Sequence, residues 1–177
     1  MIEYRIARPE DAKEIEEFVV FNFGENIRKL AQEYLSCSVS DDYRKPAFIV
    51  ALDNEKIIGV AAFSEEIFTI ETWGISWVSV HEDYRNQGIG QKVLEFCETE
   101  IRKNLPSATI IKPSVVYSVD DKFTTKFMAL LSLLPLFPLY YNGNTKFSPI
   151  HASDLSNIIY GIINKEIYHK DIEAIGP

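Results

Sequence analysis

The chain has only two cysteines in 177 residues, Cys37 and Cys97. Both lie in amphipathic stretches, without paired spacing or companion histidines, so neither a disulfide framework nor a zinc site is expected and the metal set is empty. Both read as buried thiols of a protein kept in a reducing cytoplasm. Basic residues are also scarce: 18 Lys and Arg against 26 Asp and Glu give a net charge of −8. That balance excludes nucleic acid as the main partner, because backbone binding needs a basic surface that releases counterions. The most apolar stretch, residues 127–141, is broken by Pro135 and Pro138 and is too short for the roughly 20 residues that span a bilayer. The opening Met-Ile-Glu-Tyr-Arg-Ile lacks the basic-then-apolar order of an export signal. Two phosphate-loop patterns are missing as well, Gly-x-x-x-x-Gly-Lys-Ser/Thr and Gly-x-Gly-x-x-Gly, which removes the common mononucleotide and dinucleotide loops. No internal repeat or low-complexity tract is present.

What remains is a composition of 46% hydrophobic and 25% charged residues, that of an ordinary globular α/β chain. Its charge is unevenly spread. Residues 1–111 hold 20 acids and 12 bases, including all six arginines, whereas residues 112–177 hold 6 of each. A boundary near residue 111 follows as an expectation.

Hydrophobic periodicity predicts the elements. Ile2, Tyr4 and Ile6 alternate as a strand, and Arg8-Pro9-Glu10-Asp11 opens a helix to about Phe23, with Ala12, Ile15, Phe18 and Val19 inward and Gly24 as its stop. A second helix covers about Asn26 to Leu35, followed by a polar loop from Ser36 to Lys45. Ala47–Leu52 and Lys56–Phe63 form a hairpin around Asp53-Asn54-Glu55. In the strand Thr72–Val80, simple alternation puts Trp73, Ile75, Trp77 and Ser79 on one face and Gly74, Ser76, Val78 and Val80 on the other. Gly88 to Lys103 is an amphipathic helix carrying Ile89, Val93, Phe96, Cys97 and Ile101. Ala108–Tyr117 is one further strand, marked by Pro113 as an edge or bulge. Beyond it, Asp120-Asp121 opens a helix with Phe123, Phe127, Leu130, Leu131 and Leu134, and residues 137–141 run extended. Asn142-Gly143 turns the chain into a returning strand, Thr145–His151, and Ser153-Asp154 caps a last helix to about Ile163.

The segment that carries chemistry is Val78-Ser79-Val80-His81-Glu82-Asp83-Tyr84-Arg85-Asn86-Gln87-Gly88-Ile89-Gly90. A strand feeds a turn that opens directly into a helix beginning with glycines, so unpaired N–H groups converge at a positive dipole end. Gly88 and Gly90 let a diphosphate approach the backbone, and Arg85 adds a fixed charge beside it. A plain strand-to-helix turn with a solvated arginine is the alternative.

The pattern Arg-x-x-Gly-x-Gly after such a strand, with the lead-in Trp77-Val78-Ser79-Val80-His81, resembles motif A of the GNAT acetyltransferase superfamily over about residues 2–111. The resemblance implies a mixed, mostly antiparallel central sheet flanked by helices. It also implies acetyl-CoA as cosubstrate: Val78 and Val80 would pair with the pantetheine arm, and Arg85, Asn86, Gln87, Gly88, Ile89, Gly90 and Gln91 would hold the pyrophosphate. An amine acceptor, free or on a peptide, would attack the thioester directly, with N–H groups near Val78 stabilising the oxyanion. Proton transfer needs a base, for which Glu71 is the first candidate, with Ser76 and His81 behind it.

No Asn-x-x-Ala-x-x-x-Tyr-x-x-x-Gly-Phe segment follows, so Tyr117 is the candidate acid, with Tyr140 and Tyr141 as alternatives. Instead Ile110-Ile111-Lys112-Pro113-Ser114-Val115-Val116-Tyr117, Asp121-Lys122-Phe123 and Phe147-Ser148-Pro149-Ile150-His151-Ala152-Ser153-Asp154-Leu155 resemble the C-terminal half of extended short-chain dehydrogenase/reductases. Their nearest cousins are epimerase-like proteins related to an accessory subunit of respiratory complex I. The glycine loop and Tyr-x-x-x-Lys pair of such enzymes are absent, so dehydrogenase activity is not expected. Two regions follow: 1–111, and an atypical segment 112–177 that either completes the same domain or is a fused fragment. Three readings stay open: an N-acetyltransferase, a CoA-binding module without turnover, and an interaction protein. The apolar 127–141 segment is a candidate homodimer surface.

Overall fold

The computed structural model describes residues 1–37, 46–65, 72–119, 121–133, 148–168 and 170–176. They form two compact units, Met1–Pro106 and Ser107–Pro177.

The first unit is an antiparallel meander of β1 (Glu3–Ile6), β2 (Ala47–Asp53), β3 (Lys56–Glu65) and β4 (Trp73–Val80), in the spatial order β1-β2-β3-β4. Between β1 and β2 the chain makes α1 (Ala12–Phe23) and α2 (Arg28–Cys37), each entered through a 3-10 turn. The turn into α1 is held by charge: Asp11 accepts the main-chain N–H of Arg8 at 2.6 Å and both guanidinium nitrogens of Arg5 at 2.6 and 2.9 Å. This bidentate contact pulls the Asp11 carboxyl below its usual range and raises Arg5. Gly24, at φ 99, stops α1 as expected. Arg28 then bridges Glu16 and Glu17 of α1 and Glu25 of the turn at 2.5–2.9 Å, so part of the acidic excess is neutralised where the two helices meet.

The strands β2 and β3 are buried almost throughout, as a sheet covered on both faces requires. On one face Ile15, Phe18, Val19, Ala31 and Leu35 of the first two helices pack on Phe48, Val50, Leu52, Val60 and Ala62. On the other lies α3 (Ile89–Asn104), whose Ile89, Val93, Cys97 and Ile101 are buried. Burial pushes the Cys97 thiol up to about 12, so it is an apolar packing group and not a nucleophile. Glu14 of α1 accepts the main-chain N–H of Ile57 at 2.8 Å, beside the irregularity in the β2–β3 ladder, which ties the helix to the hairpin. The hairpin turn itself has Asn54 and Glu55 at φ 49 and 68, the conformation that a two-residue turn between right-twisted strands favours.

In β4 the simple alternation fails. Ile75 pairs with Phe63 and Ser76 with Ala62, but Ser79 pairs with Val60 and Val80 with Gly59, so one extra residue is accommodated at Trp77–Val78. This bulge puts Ser76 and Ser79 on the face of Val60 and Ala62, and Ile75 and Val80 on the α3 face. Trp77 sits at φ 57, an uncommon value for a large side chain, and its ring is held edge-on by Phe23 and Tyr34, each at 5.8 Å. Packing of three rings fixes a backbone that period-2 reading of the strand does not contain.

The second unit has a different construction. The expected single strand over 108–117 is two short ones, β5 (Ile110–Pro113) and β6 (Val116–Tyr117), broken at Ser114-Val115. Each has a parallel partner: β5 pairs with β8 (Asp171–Ala174) and β6 with β7 (Ile150–His151). The strand β8 was not expected from sequence. The returning strand over 145–151 is reduced, among the described residues, to Ile150–His151, and it runs parallel to β6 and not back along a hairpin. Between them lie α4 (Lys122–Leu133) and α5 (Ala152–Asn164). The cap of α5 is His151, whose Nδ1 accepts the N–H of Ser153 at 3.2 Å and contacts its hydroxyl at 2.7 Å, where Ser153-Asp154 was expected. Gly176 donates its N–H to Ser148 O, and a Cβ there would lie 2.0 Å from the carbonyl oxygen of Pro149. Among the described residues, strands of this unit pair only with one another and not with β1–β4. Leu134, residues 135–147 and the Asn142-Gly143 turn lie outside the described residues.

Candidate functional site

The segment singled out in the sequence links the end of β4 to α3 through the 3-10 turn Glu82–Tyr84. This turn is anchored three ways. His81 accepts the Asp83 N–H on Nδ1, its ring stacks on Phe21 at 6.2 Å, and Tyr84 donates to Asp53 at 3.1 Å across to the β2–β3 hairpin. The last contact raises the Tyr84 hydroxyl above its ordinary range. His81, a candidate for proton transfer, is thus used as a cap and a stacking partner.

After the turn, Asn86 and Gly88 adopt φ 61 and 76, and α3 starts at Ile89. Gly88 is required there by its conformation and not by crowding, since a Cβ would have nothing within 4 Å. The main-chain N–H groups of residues 86–91 donate to no acceptor among the described residues, and the first helical bond is from Lys92 N–H to Gly88 O at 3.1 Å. Six donors therefore lie without an acceptor among the described residues at and before the positive end of a sixteen-residue helix. Ile89 contributes only its N–H, because its side chain is buried against Gly59. Gln91 and Gln87 donate their side-chain amides to Glu95 and to Asp83 O. A Cβ on Gly90 would meet the Val80 side chain at 3.5 Å, an ordinary contact.

Beside this cradle runs the outer edge of β4, which among the described residues pairs with β3 alone. His81 N–H donates to Ile58 O at 2.9 Å, so in an antiparallel ladder Ser79 and His81 point their main-chain groups to β3 while Val80 points its own outward. Arg85 confirms this direction: its Nε donates to Val80 O at 3.1 Å. On the inner side of the bulge, the hydroxyl oxygens of Ser76 and Ser79 are buried without a hydrogen-bond partner. An open strand edge, a bulge beside it and an unpartnered N–H cluster at one end of the edge fit an elongated ligand with an anionic terminus.

Glu71 lies outside the described residues. Tyr117 belongs to the second unit, where its ring meets His151 edge-on at 5.1 Å. The bulge and the Asn22–Arg85 contact at 3.4 Å were both missed in the sequence. Trp77 between Ser76 and Val78 carries no period-2 warning of a bulge, and residues 63 positions apart carry no local signal at all.

Residues 44–118 match the family model described as an acetyltransferase (GNAT) domain. A predicted acetyltransferase from Clostridium acetobutylicum, solved with acetyl-CoA, is similar with a TM-score of 0.52 at 16% identity, over 82% of this chain and 100% of that one. A GNAT family acetyltransferase from Brucella melitensis in complex with acetyl-CoA is similar at 22% identity with a TM-score of 0.46, over 59% of this chain and 70% of that one. A second likeness has another source. Over 79 residues, 45% of this chain, it is 30% identical to NADH dehydrogenase [ubiquinone] 1 alpha subcomplex subunit 9, mitochondrial, from Dictyostelium discoideum. The chain spans about a fifth of that relative's length. Both resemblances read from the sequence are therefore present, and the first extends to the fold. No helix among the described residues is long and apolar enough to cross a membrane.

Proposed function

We propose, starting from this GNAT-like fold, that the first unit binds acetyl-CoA and transfers its acetyl group to an amine by direct attack. One observation carries the reading: the six unpaired N–H groups of residues 86–91 follow the end of β4, whose outer edge has no partner strand among the described residues. The cradle suits a diphosphate, held by main-chain N–H groups with Arg85 alongside, and the edge suits the amide-bearing pantetheine arm. The thioester would then lie near the Trp77–Val78 bulge, where main-chain N–H groups released from the ladder are available to a developing oxyanion. The amine nitrogen forms its bond to the carbonyl carbon as the C–S bond breaks, the ammonium proton passes to a base and the thiolate leaves. Glu71 is proposed as the base for the proton transfer. Replacing it by Gln should lower turnover without changing affinity for CoA. The acidic balance of residues 1–111 favours a cationic acceptor.

A second reading, a CoA-binding module without turnover, is favoured by one feature: the described strands of 107–177 form ladders of their own and do not continue the first sheet. Calorimetric titration with CoA tests both, and absence of heat and of any thermal shift at millimolar CoA defeats both. Release of free thiol from acetyl-CoA with a panel of amines then separates them.

A further inference from the structure

We infer that Asn22 is a positioning residue for the coenzyme, acting through Arg85; the inference rests on the acetyl-CoA reading. Asn22 lies in the last turn of α1, and its Nδ2 donates to Phe18 O at 2.8 Å. A carbonyl only accepts and a guanidinium only donates, so this bond fixes the carboxamide with Oδ1 toward Arg85 Nη2, at 3.4 Å. Arg85 is thereby held at two points, Nε on Val80 O and Nη2 on Asn22 Oδ1. A long side chain that is otherwise exposed is pinned over the outer edge of β4, next to the free N–H cluster, with guanidinium protons left over for an anion.

The choice of an amide matters. A neutral acceptor orients the guanidinium and leaves its charge intact, whereas a carboxylate at the same place would orient it and cancel the charge that a diphosphate needs. Pinning also removes rotamer freedom before the ligand arrives, so less is lost on binding. The contact joins the end of α1 to the start of the phosphate loop, elements 63 residues apart.

The test is calorimetric titration of the full chain with CoA for wild type, N22A, N22S, N22D, R85A and the N22A/R85A double variant. Asn22→Ser keeps a hydroxyl that bonds Phe18 O but lacks the reach to Arg85, which separates positioning from helix stability. N22A and N22S should each weaken CoA by about threefold to tenfold, the scale of one hydrogen bond. N22D should weaken it further, and the double variant should bind no more weakly than R85A. Wild-type affinity in N22S, or a loss in the double variant equal to the product of the single losses, overturns the inference while leaving coenzyme binding intact. A wild type that binds no CoA overturns the coenzyme reading and this inference together.

Discussion

In residues 1–106 the antiparallel sheet is covered on both faces, while in the described residues of 107–177 two short parallel ladders bury few apolar side chains. All but two of the buried apolar side chains among the described residues belong to the first unit, and the two are Ile150 and Ala174. In α5 no residue is buried, and Ile159, Tyr160 and Ile163 are exposed on a strongly amphipathic helix. Parallel strands are ordinarily buried on both faces, between helices supplied by crossover connections. Among the described residues, the second unit has a β5–β8 and a β6–β7 pair with helices between, and no further strand beside either pair. The antiparallel meander needs no such partners, because its strands are neighbours both in sequence and in space.

The sharpest test of this contrast is a pair of core truncations. Phe48→Ala should destabilise the first unit by about 3–5 kcal/mol. Ile150→Ala should leave the first unit's urea midpoint unchanged. Both tryptophans, Trp73 and Trp77, lie in β4, so intrinsic fluorescence reports that unit alone. A shift of the fluorescence midpoint in Ile150→Ala would show that the units unfold together.

Next in size is the coenzyme contact. Arg85→Ala should weaken CoA by about 1.5–3 kcal/mol, as for a charge-assisted contact, while Lys112→Ala in the second unit should not change it. Unchanged affinity in Arg85→Ala would place the anion elsewhere.

Asp11→Asn should cost about 2 kcal/mol at neutral pH, since it removes a carboxylate that holds both Arg5 and the Arg8 N–H. The sign of its pH dependence follows from the lowered carboxyl. Folding holds Asp11 deprotonated below the unfolded value of about 4, so its contribution is complete above that pH and is lost as the pH falls through the depressed folded value. The variant's urea midpoint should accordingly fall less steeply than wild type as the pH drops below about 4. An unchanged slope would mean that other carboxylates govern acid unfolding.

The smallest effect is at Gly88, where alanine at φ 76 should cost about 1 kcal/mol of stability, read as a lower thermal midpoint. A larger loss of CoA affinity than of stability would show that the missing Cβ also serves the ligand.

Much of the first unit was legible because its signals are local. Pro9 and Gly24 bracket α1, Asp53-Asn54-Glu55 marks the hairpin, and Gly88 with the 3.6-residue pattern of Ile89, Val93, Cys97 and Ile101 marks α3 and its anion-facing start. The bulge in β4 was illegible, because it depends on where Trp77 finds Phe23 and Tyr34, both far back along the chain. In the second unit β8 escaped notice because four residues with one buried side chain carry almost no periodicity. His151 took the cap from Ser153 because a histidine at the end of a short strand can reach the same N–H.

Residue order alone was enough for the helices, the hairpin, the glycine that opens α3 and the two resemblances, since each rests on residues within about one turn or one loop. Pairing between distant segments was needed for the rest: the parity of β4, the outward main chain of Val80, the parallel ladders of 107–177 and the hold of Asn22 on Arg85. Such contacts cost loop-closure entropy, and only the packing of the whole unit offsets it.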